Sequence, residues 1–493
     1  MKIGIDLGTT YSAAAYMKDG KPVVIMNSEG DATTPSVVLF EESGDVTVGK
    51  AAKERVLIEE ENTVSTVKDY MGTEHIYTVR EQNYRPEDIS SLILKKIVKY
   101  SEESLGEPVE GAVVTIPAYF NDAHRQATED ACELAGINLI NMINEPTAAA
   151  ICYAKDKELS EGANVMVYDL GGGTFDVSVV SITAEGIKVV STAGLRKTGG
   201  HFFDQMLEDY IIDLFYEKHE IDLTEEDYID ERQDLSTRTE QCKIQLSVKK
   251  QTDIMIRVGK IKERFTITRE QFEDLIKNFY QRTQLCMDKA LNDAEMKWSD
   301  ISKILLVGGS SRIPYIREQI RLHTGIEASA DIDPDKAVCY GAAIFANSEE
   351  NGYQVRDVCS HSIGVLVIDA EGNSINQIVI PRNSSLPAVK SHNFLLPFDN
   401  ITDLEMEFTE GEFTNVDYVN VFSKVDISIK SGIPANTPVE IKMSLDANQL
   451  LNVSICIKSK PEINEELVID RKSNLTTREK QRRKTKLALT NIL

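Results

Sequence analysis

From residue 1 to about 347 the chain alternates short apolar runs with longer segments in which apolar positions recur every three or four residues. That mixture predicts a layered α/β fold. Asp122 to Ala135 is one predicted helix, with Asn121 as its N-cap and Gly136 as its C-cap. After Ala346 the texture changes. The polar stretch Asn347-Ser-Glu-Glu-Asn-Gly352 reads as a linker, and beyond it Gly, Pro and Asn punctuate short alternating runs. Val439, Ile441, Met443 and Leu445 alternate with polar residues, Asp446-Ala-Asn-Gln449 turns the chain, and Leu451, Val453, Ile455 and Ile457 resume the alternation. This pattern predicts a β-hairpin with one buried face. The C-terminal end becomes helical in period and basic, Lys480-Gln-Arg-Arg-Lys-Thr-Lys486, and reads as a solvated helix or frayed tail rather than a polyanion patch.

At 493 residues the chain exceeds what one core supports, so at least two domains are expected. A composition of 42% hydrophobic and 27% charged residues excludes a disordered chain. The net charge of −25 argues against nucleic acid and anionic membranes as partners, because both are repelled at long range. Seven scattered cysteines without a C-x-x-C pair argue against zinc or a disulfide framework and fit a reducing compartment. Met1-Lys2 runs straight into an apolar strand, and no apolar run reaches the ~18 residues of a membrane span. The expectation is a cytoplasmic, monomeric protein.

The chemistry concentrates in a turn that occurs twice. Ile3-Gly-Ile-Asp6-Leu-Gly8-Thr9-Thr10 and Val165-Met-Val-Tyr-Asp169-Leu-Gly171-Gly172-Gly173-Thr174 share an apolar strand, an aspartate at its end, then glycines and hydroxyls. Glycine allows backbone N–H groups to converge on one anion-sized hollow, and the aspartates stand where they can orient water around Mg2+. A third element, Ile304-Leu-Leu-Val307-Gly308-Gly309-Ser310-Ser311-Arg312-Ile-Pro314, passes from strand through glycines into a helix. One such turn alone is an ordinary packing turn. Three together, two of them near-copies, predict a duplicated fold whose lobes face each other across a nucleotide cleft.

The ordered set Ile5–Ser12, Ile116-Pro-Ala-Tyr-Phe-Asn-Asp122, Ile143-Asn-Glu-Pro-Thr-Ala-Ala-Ala150, Asp169–Asp176 and Val307–Pro314 closely resembles the heat-shock protein 70 (DnaK) chaperone family. The match continues through Asp333–Ala343 and more faintly through the C-terminal region. Lys68-Asp-Tyr-Met-Gly72, Ser90-Ser-Leu92 and Asp357–Gly364 look nearest its HscC-like branch. The resemblance implies an actin-like ATPase fold of two duplicated, ribonuclease-H-like lobes over 1–347, a linker over 348–358, a β-sandwich peptide-binding domain over 359–470, and a short basic stub of a missing lid over 471–493. It implies ATP/ADP and Mg2+, with K+ as a further candidate ion, and hydrolysis that regulates binding of unfolded or extended polypeptides. A J-domain co-chaperone and a nucleotide-exchange factor are its implied partners.

Residue by residue, the resemblance makes Lys68, Glu145, Asp169 and Thr174 the catalytic set, and Asp6, Asp169 and Asp176 the carboxylates around metal ions. Gly8, Thr9, Thr10, Tyr11, Gly171, Gly172, Gly173, Gly199, Gly200, Gly308 and Gly309 would bind the phosphate side of the nucleotide; Glu240, Lys243, Ser247, Ser310, Arg312 and Asp335 would meet the base and ribose. Positions 240, 243 and 247 share one helix face by spacing alone, as any solvated charged stripe does. In the sandwich, Leu404 and Met406 fall at the client pocket, though alternate apolar residues line any half-buried strand.

Several positions depart from the family pattern. Ile244 stands where an arginine commonly sandwiches the adenine, which removes a cation–π contact of ~0.5–2 kcal/mol. His201-Phe202 replaces an acidic pair at one potassium site, and Asn141 replaces an arginine used in J-domain docking. Asn376 takes the place of the arch methionine over the client. Relatives carry a leucine-rich linker, whereas here Glu349 to Asp357 is polar, leaving Tyr353, Val355 and Val358 to bury and predicting loose interdomain coupling. A small-molecule kinase on the same fold and a nucleotide-gated scaffold are the alternative functional classes.

Overall fold

The computed structural model describes residues 1–155, 161–184, 186–348, 354–369, 371–396, 398–400, 403–428, 433–446, 449–457, 464–467 and 475–493. Two sheets with the same connectivity form its first part. In lobe I, β1 (Lys2–Asp6) pairs antiparallel with β2 (Tyr11–Lys18), which pairs with β3 (Lys21–Ile25). On its other side β1 runs parallel to β4 (Gly111–Ile116), and β4 parallel to β5 (Leu139–Asn144). In lobe II, β6 (Asn164–Leu170) pairs antiparallel with β7 (Thr174–Thr183), and β7 with β8 (Gly186–Arg196). Its other neighbour is the parallel β9 (Lys303–Val307), flanked by β10 (Ala328–Ser329). The strand order 5-4-1-2-3 in one lobe thus recurs as 10-9-6-7-8 in the other. Both central strands, β1 and β6, carry an aspartate at or next to their last residue, Asp6 and Asp169, and run on into a glycine turn.

Helices cover the sheets. The ones that matter below are α1 (Pro86–Leu105), α2 (Asp122–Ala135), α3 (Glu145–Lys155), α4 (Gly200–His219), α5 (Ile229–Leu246) and α6 (Ala337–Ala346). Helix α2 has the caps its sequence predicts: the Asn121 side chain accepts from the His124 N–H, and Gly136 sits at φ 79°. Helices α3 and α6 form the core between the lobes with Ala148, Ala149, Ile151, Val165, Leu305 and Ala342. Their approach requires Gly341, since a Cβ there would lie 1.7 Å from the Ala148 carbonyl oxygen.

The second part is two four-stranded antiparallel sheets packed face to face. One has the order β13 (Ser374–Ile380), β12 (Ile363–Ile368), β15 (Asp403–Glu410), β16 (Asn420–Ser428). The other runs β14 (Ala388–Leu395), β17 (Pro438–Leu445), β18 (Leu451–Ile457), β19 (Asn464–Leu467). The predicted hairpin is β17–β18, with Val439 opposite Ile457, Ile441 opposite Ile455 and Met443 opposite Val453. All six side chains are buried in the shared core with Phe408.

Two expectations need correction. The polar linker, expected to couple the domains loosely through few apolar contacts, is not without ordered pairing: β11 (Gln354–Arg356) adds to the edge of the lobe II sheet, parallel to β8 at Gly186–Lys188. Val355 packs on the interlobe core and Val358 is buried. Strand addition uses backbone hydrogen bonds, which the side-chain composition does not reveal. Tyr353 and its neighbours from 349 lie outside the described residues. Nor is the basic C-terminal helix solvated. Helix α7 (Thr477–Ala488) packs across α1 and α2, and Leu475, Leu487 and Ile492 enter the lobe I core.

Beneath α7, burial and the nearby Asp130 and Asp88 carboxylates raise the fully buried Glu87 to about 7, against the pull of Arg85. A raised carboxyl supplies its stability in the protonated form, so that contribution fades as pH rises through about 7. Glu87→Gln is therefore expected to stabilise the chain at pH 8 by on the order of 3 kcal/mol and to change little at pH 5. Thermal unfolding at the two pH values checks this; equal shifts at both contradict it.

Candidate functional site

The two aspartate turns meet face to face. A Cβ on Gly172 would lie 2.0 Å from Thr10 Oγ1, and one on Gly173 would lie 2.7 Å from Thr9 Cγ2, so only backbone fits between the lobes there. The start of α4 closes the same corner: Gly200 N–H donates to Gly171 O at 3.0 Å, His201 N–H to Gly172 O at 2.8 Å, and Ser310 Oγ to Gly171 O at 2.9 Å. Gly308 takes φ 77° because the backbone at Leu170 stands where a side chain would go. These turns line a cavity of about 810 Å³ between the lobes, together with Asp6, Lys68, Glu145, Asp169, Thr174 and Asp335.

At its floor Lys68 is almost wholly buried. Its Nζ donates to Glu145 Oε1 at 2.5 Å and to the Leu7 carbonyl. The segment Val67–Tyr70 that carries it is a single 3-10 turn entered through Thr66 at φ 50°. Thr115 Oγ1 donates to Asp6 Oδ1 at 3.1 Å. Burial first and Glu145 next raise Asp6 to about 7. Asp169 and Asp176 are held well above the usual carboxylate range by burial and by Glu145. Asp176 Oδ1 is buried with no hydrogen-bond partner. Four acids gathered around one lysine in a buried cleft are a receptor for added positive charge. Among the described residues no three acid, His or Cys side chains gather closely enough to cage a metal. Mg2+ asks for one or two carboxylates, keeps several waters and leans on substrate phosphates, and Asp6 and Asp169 supply such carboxylates in the cleft.

At the mouth, Tyr11 OH donates to Glu240 Oε1 at 2.8 Å, and Lys53 Nζ reaches both Glu240 (2.5 Å) and the Tyr11 hydroxyl (2.6 Å). This bridge joins lobe I to lobe II over the cavity. Lys243 donates to Asp204 at 2.6 Å and to the Gly200 carbonyl at 3.0 Å. Ser247 follows one turn on. Across from this helix Arg312 is fixed by Asp333 and by Asp335, at 2.9 Å for the latter. Ile244 lines the cavity and is 59% exposed. A flat guest between Arg312 and Ile244 has a cation on one face only. Ile244→Arg is expected to tighten ATP binding by up to roughly tenfold. Titration calorimetry checks it, and an unchanged affinity would remove this position from base stacking.

Lys53, Asp204 and Thr115 were not legible as site residues, since nothing local distinguishes them from surface or strand residues. The segment Ala118–Asp122 also escaped notice as a connector. One side of it faces the cleft: the backbone N–H groups of Ala118 and Tyr119 donate to Asp176, and the Phe120 ring lies 5.8 Å from Lys68 Nζ. Its other side touches the sandwich. The Tyr119 carbonyl meets His361 Nε2 at 2.6 Å, and Asp122 Oδ1 accepts from Leu451 N–H at 3.0 Å. Arg125, on the next turn, is fully buried and reaches Asn144 (2.9 Å) and Ser360 (3.4 Å), while Asn144 donates to Asp357 at 2.7 Å.

Leu404 and Met406 are far from the cleft, on β15. Met406 is buried in the sandwich core; Leu404 is partly buried and packs against that core from its edge. At the same end of the sandwich by strand direction, Ile368, Leu395 and Phe398 are 69%, 59% and 69% exposed. Asn376, at the position of the arch methionine, is buried in β13, donating to the Gly411 and Phe413 carbonyls and accepting from Thr409 at 2.6 Å.

Three glycine turns, two lobes and a cleft of acids around one buried lysine define a two-lobed ATPase that carries a separate sheet domain. The chain belongs to the Hsp70 family, whose sequence profile, described as Hsp70 protein, matches residues 2–79 and 74–489. It is 40% identical over 420 residues to proteins named Chaperone protein DnaK from Thermosipho melanesiensis and Thermosipho africanus, covering 83% of this chain and 70% of each relative. The protein of that name from Thermotoga neapolitana is 40% identical over 421 residues, with the same coverage.

Proposed function

We propose that this chain is an ATP-dependent molecular chaperone whose hydrolytic cycle regulates binding of extended, apolar polypeptide segments. The observation that carries the reading is the Ala118–Arg125 segment, which holds the cleft carboxylate Asp176 on one side and touches the sandwich on the other. A kinase needs no such connector.

The actin-like ATPase domain spans 1–347, the linker 348–358 and the sandwich 359–470, with 471–493 as the residue of a lid. ATP lies with its phosphates in the turns at Gly8–Tyr11, Gly171–Gly173 and Gly199–Gly200. The turn at Gly308–Gly309 adds a third anion-receptive backbone, and the nucleoside end meets Glu240, Lys243, Ser247, Ser310, Arg312 and Asp335. Lys68, fixed by Glu145, presents its cation to the γ-phosphate and aligns the attacking water; Thr174 adds a hydroxyl there. Asp6, Glu145 and Asp169 would hold the water shell of a Mg2+ ion, which would supply charge neutralisation at the phosphate oxygens. Asp176 is the candidate for K+, its unpaired oxygen being available and His201 standing where the second site would want an acid.

The client lies across Leu404, with Ile368, Leu395 and Phe398 as further apolar contacts and Met406 as support from below. A J-domain partner must dock without an arginine at Asn141, and a nucleotide-exchange factor remains a further partner. Lys68–Gly72 and Asp357–Gly364 support an HscC-like branch, and the charge and cysteine pattern support a monomer in the cytoplasm. No described helix is long and apolar enough to cross a membrane.

Single-turnover hydrolysis of ATP with Mg2+, with and without an extended apolar peptide, tests the reading. Peptide should speed hydrolysis; hydrolysis that ignores every peptide sinks the chaperone assignment and leaves a plain nucleotide switch.

A further inference from the structure

Lys53 and Glu240 bridge the two lobes at the nucleoside mouth of the cleft. A second set of charges stands where Lys68 and Thr174 are, and the mechanism above does not use it. There β8 ends on Arg196, which faces Thr174 in the antiparallel register of β7 and β8, and Lys197 follows at φ 50°. Opposite them in lobe I is Asp69, the neighbour of Lys68 on the 3-10 turn Val67–Tyr70. Burial raises the Asp69 carboxyl to about 6 against the pull of Lys68, Arg196 and Lys197. Tyr119 and Tyr77 also face it.

Arg196 is exposed along one side, yet it is not a loose surface charge. Its guanidinium donates to His124 Nε2 at 2.6 Å and lies 5.2 Å over the Tyr119 ring. Arginine can only donate, so Nε2 accepts and the imidazole is neutral, with its Nδ1–H given to Asn121 Oδ1. Burial first and the Arg196 charge next keep His124 well below its ordinary range, and the ring is 5% exposed, so this acceptor is itself fixed. One side chain of lobe II thus meets three parts of lobe I: α2 through His124, the connector through Tyr119, and the Lys68 turn through the charge of Asp69.

The partners of Lys68, Glu145 and the Leu7 carbonyl, both follow from the lobe I sheet, so they orient the lysine without fixing its distance from Thr174 in lobe II. Asp69 and Arg196 stand one step behind these two groups, 69 beside 68 in the chain and 196 across the ladder from 174. Neither lines the nucleotide cavity. We propose that Asp69 and Arg196 are positioning residues for hydrolysis, a charge pair across the phosphate end of the cleft that sets the Lys68 turn of lobe I against the Thr174 strand of lobe II. Loss of either partner leaves the lysine oriented but the lobes free to part there, and small displacements of a reacting group are costly in rate. This inference rests on the ATP-hydrolysing reading above.

The test uses the full chain with Asp69→Asn, Arg196→Met and the two combined. Single-turnover hydrolysis of bound ATP with Mg2+ is followed beside ATP affinity by titration calorimetry and thermal unfolding. Each single variant should hydrolyse about tenfold more slowly at pH 8 with ATP affinity within about twofold of wild type. The double variant should be no slower than either single one, because losing one partner already removes the pair. The pH profile separates positioning from mere packing. Asp69 pairs only when ionised, so its contribution is present above about 6 and fades as pH falls through that value. The ratio of wild-type to Asp69→Asn rates should therefore narrow from about tenfold at pH 8 to about threefold at pH 5.5, while the other cleft carboxylates titrate in both proteins and cancel. Single variants within twofold of wild type, losses that multiply in the double variant, or a ratio that ignores pH would each overturn the pair. So would rates that fall only in step with ATP affinity or with the folded fraction. A wild-type chain that hydrolyses no ATP would instead sink the underlying reading, so the two failures are separable.

Discussion

Lys68→Ala lowers single-turnover ATP hydrolysis by roughly 10²–10³-fold, the usual loss when one preorganised charge at a transition state is removed. Its Nζ has no alternative partner to leave: it is bound to Glu145 and to the Leu7 carbonyl on the cleft floor, so the charge is already oriented before reaction. ATP binding should fall far less, because the turns around Gly8, Gly172 and Gly308 supply most phosphate contacts through backbone groups. The variant also leaves Glu145 buried without its cation, which costs stability by about 3–5 kcal/mol. The double variant Lys68→Met/Glu145→Gln removes both charges and should recover much of that stability without recovering hydrolysis. Recovery of hydrolysis alongside stability would show that Lys68 matters for folding rather than for chemistry.

Arg125→Met detaches the sandwich from the cleft. Arg125 is among the largest fully buried side chains, and burial lowers its guanidinium to about 10 while Asp357 opposes that shift. Methionine fills the space but leaves Asn144 Oδ1 without its donor and Asp357 without its cation. A buried charge pair broken on one side destabilises by about 3–5 kcal/mol. The loss should appear at the interface: basal hydrolysis persists, peptide stimulation disappears, and the 354–361 segment becomes accessible to protease. A variant that loses basal hydrolysis while keeping peptide stimulation contradicts this account.

How much of this was legible in the sequence depends on whether a residue's identity is required by local backbone geometry. The glycines at 8, 172, 173 and 308 were legible because no other residue fits their positions, and the aspartates because they stand at or next to strand ends. The Asn121 and Gly136 caps and the alternation of β17–β18 were legible for the same reason: their causes lie within a few residues. What was not legible depends on distant partners. Arg125, within His-Arg-Gln-Ala-Thr-Glu-Asp, looks like an exposed helical charge until Ser360 and Asn144 close over it. The basic α7 looks solvated because its acids, Asp88 and Asp130, lie more than 340 residues earlier in the chain. Lys53 acquires its role only when Glu240 arrives from the other lobe. The burial of Asn376 among the Gly411 and Phe413 carbonyls has no sequence signal either.

The central claim is that nucleotide state changes the grip on an extended peptide. A fluorescent, extended apolar peptide is bound to the full chain in ADP, and its release is followed by stopped flow after ATP and Mg2+ are added. The account predicts release at least about tenfold faster than the spontaneous rate in ADP, an acceleration lost in Arg125→Met. Release at the same rate in ATP and ADP would contradict it.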